Sequence, residues 1–124
     1  MSQDIVADTL NQIINAKKSG KSILEVTHSS KLLISVLALA KLKGYIKDYK
    51  LDKKILKIEI GKLNDCNAIK PRYTISVSQI EKYEKRYLPA RNFGMLILST
   101  TKGLMTNHTA REKNIGGSLI AYMY

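Results

Sequence analysis

The stretch 94-GMLILSTTKGLMTNHTAR-111 decides how the second half of this chain folds. Gly94 is followed by four apolar residues and then by two hydroxyl residues, which predicts a fully buried strand over residues 94–100. The tripeptide Thr101-Lys102-Gly103 predicts a turn, because glycine and short polar residues favour reversal of the chain. A buried strand that leads into a polar turn is therefore expected at the centre of this half.

The residues on either side extend this half into a β-rich unit. Residues 106–114 predict a short helix that ends near Gly116 and Gly117. Residues 118–124 predict a last strand. Upstream, apolar and polar residues alternate over residues 73–77, which predicts a half-buried strand.

A helix start and a domain boundary are predicted further upstream. Ser78 stands three residues before Glu81, which predicts a capping box that opens a short helix. The chain becomes polar over residues 61–68 and Pro71 follows, which predicts a boundary between two halves. The predicted halves are residues 1–64 and residues 65–124.

The first half is predicted to contain two helices and three strands. Its elements are a helix over residues 4–18, a strand over 22–27, a helix from Ser29 or Ser30 to about Lys43, and strands over 45–50 and 55–60 around an Asp52-Lys53 turn. The order αβαββ is followed by a mostly-β unit with short helices. The expected fold class is therefore α+β, built from two small packed halves.

The charge of the chain points to an acidic partner. Its 124 residues include 21 lysines and arginines against 10 aspartates and glutamates, for a net charge of +11 at pH 7. Such a balance implies nucleic acid, an anionic membrane face or an acidic protein as the partner. The arginines all lie in the second half, where their planar side chains suit phosphates and base edges. They are Arg72, Arg86, Arg91 and Arg111.

No sequence feature predicts catalysis, a bound metal or a cofactor. The single cysteine, Cys66, excludes an internal disulfide and a zinc site of several cysteines, and it fits a reducing compartment. His28 and His108 do not stand at metal-ligand spacing, and the chain has no glycine-rich phosphate loop or serine-nucleophile motif. The longest apolar run, residues 32–40, is too short to span a bilayer. We therefore expect a cytoplasmic protein that is neither an enzyme nor a membrane protein.

Three consecutive hydroxyl residues lie where the predicted buried strand ends and the turn begins: Ser99, Thr100 and Thr101. Hydroxyl groups at a loop tip can donate and accept hydrogen bonds, so they suit base edges and the 2′-hydroxyl groups of RNA. Beside them, Lys102 suits a phosphate and Gly103 permits close approach of the backbone. The alternative interpretation is a turn that is rich in strand-forming residues and has no partner.

Three further features have both a binding and a structural interpretation. Ser30 and Lys31 open the second helix, where they either contact a phosphate or only cap the helix. Gly116 and Gly117 either let an RNA backbone come close or only end a helix. The segment 81-EKYEKRY-87 interleaves aromatic and basic residues, as either an RNA-facing edge or a solvated helix face would.

The stretch from Gly94 to Arg111 resembles the signature of the small-subunit ribosomal protein S-eight family. That signature has strict spacing, and this chain fits it at Gly94, Ile97, Leu98, Ser99, Thr100, Gly103, Leu104, Met105, Ala110 and Arg111. The resemblance covers nearly the whole chain, and residues 61–72 and 84–94 resemble the archaeal branch. One departure is Ser118, which follows two glycines where a charged residue is usual in the family.

The resemblance implies a structural constituent of the small ribosomal subunit, in the cytoplasm. It implies direct binding to the central domain of the small-subunit rRNA, at an irregular stem with an internal loop, and a role in subunit assembly. Neighbouring small-subunit ribosomal proteins are further expected partners. By motif position, residues 99–101 would meet bases of the internal loop, and Ser30 and Lys31 would contact the RNA backbone. Arg72 and Arg86 are carried over as further RNA contacts.

Alternative functions make different demands on the sequence. A regulator of its own messenger RNA would bind an rRNA-like stem through the same surface, so the sequence leaves this alternative open. A nucleic-acid-processing enzyme would need a cluster of acidic residues for Mg²⁺, and none is visible. A membrane-surface protein would need one strongly basic amphipathic helix, and neither predicted helix of the first half is unusual in that respect.

Overall fold

The computed structural model describes residues 5–70, 72–90 and 93–124. The chain divides into two compact units, which meet in the sequence between Cys66 and Asn67. Both units contain helices and antiparallel strand pairs, so the α+β class is confirmed. Among the described residues, no helix is both long and apolar enough to cross a membrane.

The first unit combines two helices with a three-stranded antiparallel sheet of order β1-β3-β2. Its elements are α1 (Ile5–Lys18), β1 (Ile23–Val26), α2 (Lys31–Leu42), β2 (Ile46–Asp52) and β3 (Ile55–Ile60). The predicted order αβαββ is confirmed. The turn after β2 lies one residue later than predicted, because Asp52 still pairs with Ile55 in the sheet.

The periodicity of the apolar residues explains the core of this unit. Leu10 and Ile13 lie on one side of α1 and are fully buried, as the helical spacing predicts. In β3, Leu56 and Ile58 point into the core while Lys57 between them is exposed. Successive side chains of a strand point to opposite faces, so one face of the sheet is apolar and the other is polar.

The second unit is built around the buried strand that the sequence predicts. The elements after β3 are β4 (Cys66–Ala68), β5 (Thr74–Ile75), α3 (Ile80–Tyr87), β6 (Met95–Thr100), β7 (Gly103–Thr106), α4 (Asn107–Lys113) and β8 (Gly117–Met123). The sheet order is β4-β8-β6-β7, and β5 also pairs with β8. The first four residues of β6 are completely buried, which places this strand at the centre of the unit.

Two short strands, β4 and β7, are absent from the sequence prediction. β4 lies in the stretch that the sequence indicates as a polar boundary, and β7 is formed by residues for which the sequence predicts no strand. The predicted strand over residues 73–77 is only two residues long, because Val77–Gln79 turns into a 3-10 helix. Strands of two to four residues are too short to show a periodic pattern, and β4 and β5 also depend on pairing with the distant strand β8, which local patterns do not report.

One predicted helix start is wrong in detail, and the predicted helix over residues 106–114 is confirmed. The capping box at the start of α3 does not use Ser78 and Glu81. Instead, the backbone N–H of Ser76 donates to Oε1 of Gln79 at 2.9 Å. Helix α4 ends before the glycine pair, at Asn114, whose φ of 55° is left-handed. Asparagine tolerates this conformation better than most residues, so it ends the helix as glycine often does.

Candidate RNA interface

The turn between β6 and β7 is the tip of a tight hairpin. Thr100 pairs with Gly103, and only Thr101 and Lys102 lie between the two strands. Gly103 has a φ of 107°, a conformation that side-chain-bearing residues rarely adopt. The hairpin therefore holds Thr101 and Lys102 out in solvent, where both are exposed.

The hydroxyl group of Thr100 holds the turn together. Its Oγ1 donates a hydrogen bond to the carbonyl oxygen of Gly103 at 2.7 Å and accepts one from the backbone N–H of Lys102 at 3.1 Å. A hydroxyl has a single proton to donate, and here the turn uses it. Thr100 is thus placed to position its neighbours, whereas the sequence assigned it a base contact.

Ser99 and Thr101 lie on either side of this hydroxyl and are both exposed. Within the described residues, neither of their hydroxyl groups has a hydrogen-bond partner. An exposed hydroxyl on a well-ordered hairpin is available to a ligand without breaking any bond of the protein. These two groups are therefore the best-placed members of the predicted set for contact with bases.

The sheet places two more hydroxyl residues beside Ser99. Ser99 of β6 is opposite Ser118 of β8, and Ser118 is opposite Thr74 of β5. Residues directly opposite each other in a sheet project on the same face. The Oγ1 of Thr74 and the Oγ of Ser118 are 3.5 Å apart. We call Thr74, Ser118 and Ser99 the hydroxyl row.

Sequence reasoning missed Thr74 and Ser118 as members of this surface. Ser118 was noted only as a departure from the family pattern, and Thr74 only as the polar residue of an alternating strand. The alternation does predict that Thr74 faces solvent. Only the strand register shows that its exposed side is continuous with Ser99, because β5 and β6 flank the same strand.

Close packing of strands explains why glycine stands at positions 116 and 117, without any contact to RNA. A Cβ atom on Gly117 would lie 2.5 Å from the carbonyl oxygen of Ser99. One on Gly116 would lie 2.4 Å from the carbonyl oxygen of Ile75. Both distances are too short for carbon and oxygen, so glycine is required for β8 to lie this close to its neighbouring strands. The pair thereby positions the hydroxyl row.

Ser30 and Lys31 begin helix α2 in the first unit. The Oγ of Ser30 accepts a hydrogen bond from the backbone N–H of Leu33 at 3.1 Å, which is an N-cap. Lys31 is exposed, and the first turn of α2 carries no acidic residue. This end of the helix is therefore electrostatically positive. The capping interpretation of Ser30 is confirmed, and contact of either residue with RNA remains a prediction.

The arginines of the second unit are in different electrostatic states. Arg111, the last residue of the signature, is neutralised by an ion pair with Glu84. Arg72 and Arg86 are both exposed. The guanidinium of Arg86 lies over two tyrosine rings rather than against a carboxylate. Arg91 lies outside the described residues.

His28, His108 and Cys66 do not form a metal site. In the part of the chain that the structure describes, no three residues among histidine, cysteine, aspartate and glutamate are placed to hold a metal ion. Cys66 is buried, and its Sγ donates to the carbonyl oxygen of Leu10 at 3.6 Å. Burial, with a smaller contribution from the charge of Asp65, raises the pKa of the Cys66 thiol to about 12.

We expect Cys66 to resist alkylation in the folded protein. Only the thiolate reacts readily, and a raised pKa leaves almost none of it at pH 8. Labelling with iodoacetamide at pH 8, followed by mass spectrometry, should be slow for native protein and rapid in denaturant. Because the pKa of this thiol is higher in the folded protein than its ordinary value, burial of the neutral thiol stabilises the fold fully below about pH 9. This contribution to stability declines as the pH rises above 9. Equal labelling rates with and without denaturant would contradict this expectation.

Comparison with known proteins connects this surface to a family. The family model described as "Ribosomal protein S8" matches residues 4–124. The small ribosomal subunit protein uS8 of Nanoarchaeum equitans is 50% identical over the full length of both chains. That of Archaeoglobus fulgidus is 45% identical over the full length of both chains. That of Methanococcoides burtonii is 44% identical over 98% of this chain and 97% of its own.

These relatives are archaeal, as the segments 61–72 and 84–94 predict. Their family is one of ribosomal structural proteins and not of enzymes, which agrees with the lack of a catalytic motif. The match begins at residue 4 and runs through helix α1, the hairpin and the glycine pair to the last residue. The chain therefore belongs to the ribosomal protein S8 family.

Proposed function

We propose that this protein binds the central domain of the small-subunit rRNA directly, within the ribosome in the cytoplasm, and that this binding assists assembly of the subunit. Its partners there would be the rRNA and the neighbouring small-subunit ribosomal proteins. The observation that carries the proposal is the exposed hydroxyl surface of the second unit. Ser99 and Thr101 present unused hydroxyl groups on a hairpin that Thr100 and Gly103 hold in shape.

The chemistry of this surface suits RNA with an irregular stem. A regular A-form helix has a deep, narrow major groove that side chains cannot read, and it displays 2′-hydroxyl groups in its shallow minor groove. An internal loop opens the stem and exposes base edges. Hydroxyl groups can donate to or accept from these edges, and they also match the 2′-hydroxyl groups. A narrow hairpin tip can enter where a broad surface cannot.

The net charge of +11 adds an electrostatic contribution to RNA binding, besides that of the hydroxyl groups. Lysine and arginine side chains release counterions from the RNA backbone, so affinity should fall steeply as salt rises. Lys31, Lys102 and Arg72 are exposed and are proposed to make such contacts. Charge contacts position the RNA, whereas hydroxyl contacts at the hairpin select the stem. Binding would hold the stem in one shape and so favour the next step of assembly.

Replacing Ser99 and Thr101 together by alanine should weaken selective binding without unfolding the protein. Each lost contact to a base is worth on the order of 1–3 kcal/mol, so the double variant should bind at least about thirtyfold more weakly. The contacts are uncharged, so this factor should be similar at every salt concentration. The measurement is a titration against a hairpin from the central domain that carries the internal loop, with a fully paired hairpin of equal length for comparison.

A matched control is the double variant Ser19→Ala/Ser22→Ala. It removes two exposed hydroxyl groups from the first unit, outside the predicted surface. It should bind both hairpins as the natural protein does. Equal binding of the two hairpins by the natural protein, with a steep salt dependence, would contradict the proposed function and leave only a generic basic protein.

A further inference from the structure

Helix α3 has one positively charged side and one side on which the charges are paired. Lys82 and Arg86 are four residues apart and share one side. Glu81 and Lys85 share another side, where they form an ion pair of 3.5 Å. Glu84 is engaged with Arg111. The carboxylates of α3 are thus paired away from Arg86, and the side with Lys82 and Arg86 keeps its positive charge.

The guanidinium of Arg86 is held in place by aromatic rings. Its Cζ lies 5.6 Å from the ring centroid of Tyr73 and 5.5 Å from that of Tyr87. These distances are within the range of cation–π attraction. The two rings are themselves supported by further rings. Tyr73 packs on Tyr83 and Tyr87 stacks on Tyr122, each with 5.6 Å between the ring centroids. Tyr83 is buried, so the support extends into the core.

The polar edge of Arg86 is not used by the part of the chain that the structure describes. Among the described residues, no carboxylate lies within ion-pair distance of its guanidinium, and its N–H groups donate no hydrogen bond. An arginine normally loses much side-chain freedom when it binds a ligand. Here the rings restrict the side chain beforehand, and its donors still face solvent. Such an arrangement lowers the entropic cost of binding an anion.

We propose that the guanidinium of Arg86, held against the rings of Tyr73 and Tyr87, is a preformed site for one backbone phosphate of the bound RNA. This inference rests on the proposed function and specifies the chemistry at one of its contacts. A phosphate is the ligand because the guanidinium fork matches two of its oxygens, and because the charge here is not compensated. A planar base is less suited, since the rings already cover the guanidinium.

The side of α3 that carries Glu81 and Lys85 is less suited to a phosphate than the side that carries Arg86. The former side borders a groove of about 660 Å³, whose lining includes Glu81, Glu84, Lys85, Asn107 and Arg111. Both carboxylates in this lining are engaged with a cation in the protein. The groove therefore has little net charge to attract RNA. Arg111 is the matched counterexample to Arg86: an arginine of the same unit whose charge the fold has neutralised.

The test compares Arg86→Ala with Lys85→Ala. Both variants remove one exposed cation from neighbouring positions of α3, but Lys85 is already paired with Glu81. Arg86→Ala should bind the looped hairpin roughly tenfold more weakly at low salt. The slope of log K against log salt should become shallower by about one unit. Lys85→Ala should change neither quantity. Thermal unfolding of both variants establishes that they are folded.

Phosphate ethylation of the hairpin gives a second readout. With the natural protein, ethylation at one particular phosphate should weaken binding roughly tenfold, because the ethyl group removes the negative charge that Arg86 would contact. With Arg86→Ala, ethylation at that phosphate should have no further effect. An unchanged salt slope, or an unchanged interference pattern, overturns the phosphate site while selective binding of the looped hairpin still supports the proposed function. Loss of that selectivity in the natural protein overturns both.

Discussion

Replacing Gly117 by alanine is expected to destabilise the second unit by about 3 kcal/mol. The new methyl group would lie 2.5 Å from the carbonyl oxygen of Ser99 and 2.9 Å from Cγ2 of Thr100. One of these atoms belongs to the backbone of the central strand β6, so a rotamer change cannot relieve the contact. Strands β8 and β6 would have to move apart, which weakens their pairing at Ser99 and Ser118.

This variant should also lose selective RNA binding. The hydroxyl row depends on β8 lying between β5 and β6, and separation of these strands displaces Ser118 from both neighbours. Thermal unfolding should show a midpoint roughly 10–15 °C lower. For the unfolding measurement alone, the control is Ser118→Ala, which removes a half-buried hydroxyl beside the same contact without adding an atom. A Gly117→Ala protein as stable as the natural one would show that β8 adapts to the methyl group.

Replacing Asn107 by alanine is expected to cost about 3 kcal/mol of folding free energy, although this residue touches no proposed ligand. Its side chain is fully buried. Its Oδ1 accepts a hydrogen bond from the backbone N–H of Leu96 at 3.0 Å, and its Nδ2 donates to Glu84. Alanine would leave the buried N–H of Leu96 without a partner.

The neighbouring residue supplies the control for this prediction. His108 is only half buried, and His108→Ala should change the free energy of unfolding by less than about 1 kcal/mol. Denaturant unfolding of the two variants measures the difference. Asn107→Ala should also loosen Glu84, which pairs with Arg111, so α3 and α4 should lose protection from hydrogen exchange together. Similar midpoints for the two variants would contradict the importance of the buried amide.

Long, periodic segments of this fold could be predicted from the sequence. Helices α1 and α2 repeat apolar residues at helical spacing, and β3 and β6 are strongly apolar, so local pattern and tertiary structure agree. The short strands β4 and β7 could not be predicted, because three or four residues are too few to show a periodic pattern, and β4 also depends on pairing with the distant strand β8. The predicted position of the capping box was wrong because two residue pairs match the motif equally well, Ser76 with Gln79 and Ser78 with Glu81. The sequence does not show which pair forms the hydrogen bonds.

The candidate site shows the same division. Three adjacent hydroxyl residues before a Lys-Gly turn are visible in the sequence, and they mark the turn as a candidate site. Their separate roles are not visible. Thr100 uses its proton inside the turn, whereas Ser99 and Thr101 do not. Which hydroxyl is consumed depends on the turn geometry, and one-dimensional spacing does not contain that geometry.

The sequence by itself determined the α+β class, the order of elements in the first half, the buried strand with the turn that follows it, and the family. These follow from local periodicity, turn residues and the strict spacing of the signature. Only the tertiary structure decided that Thr74 and Ser118 continue the surface of Ser99, and that Arg111 is paired with a carboxylate whereas Arg86, among the described residues, is not. The reason is physical: strand register and ion pairing join residues far apart in the chain, and hydrogen bonds and charges act through space.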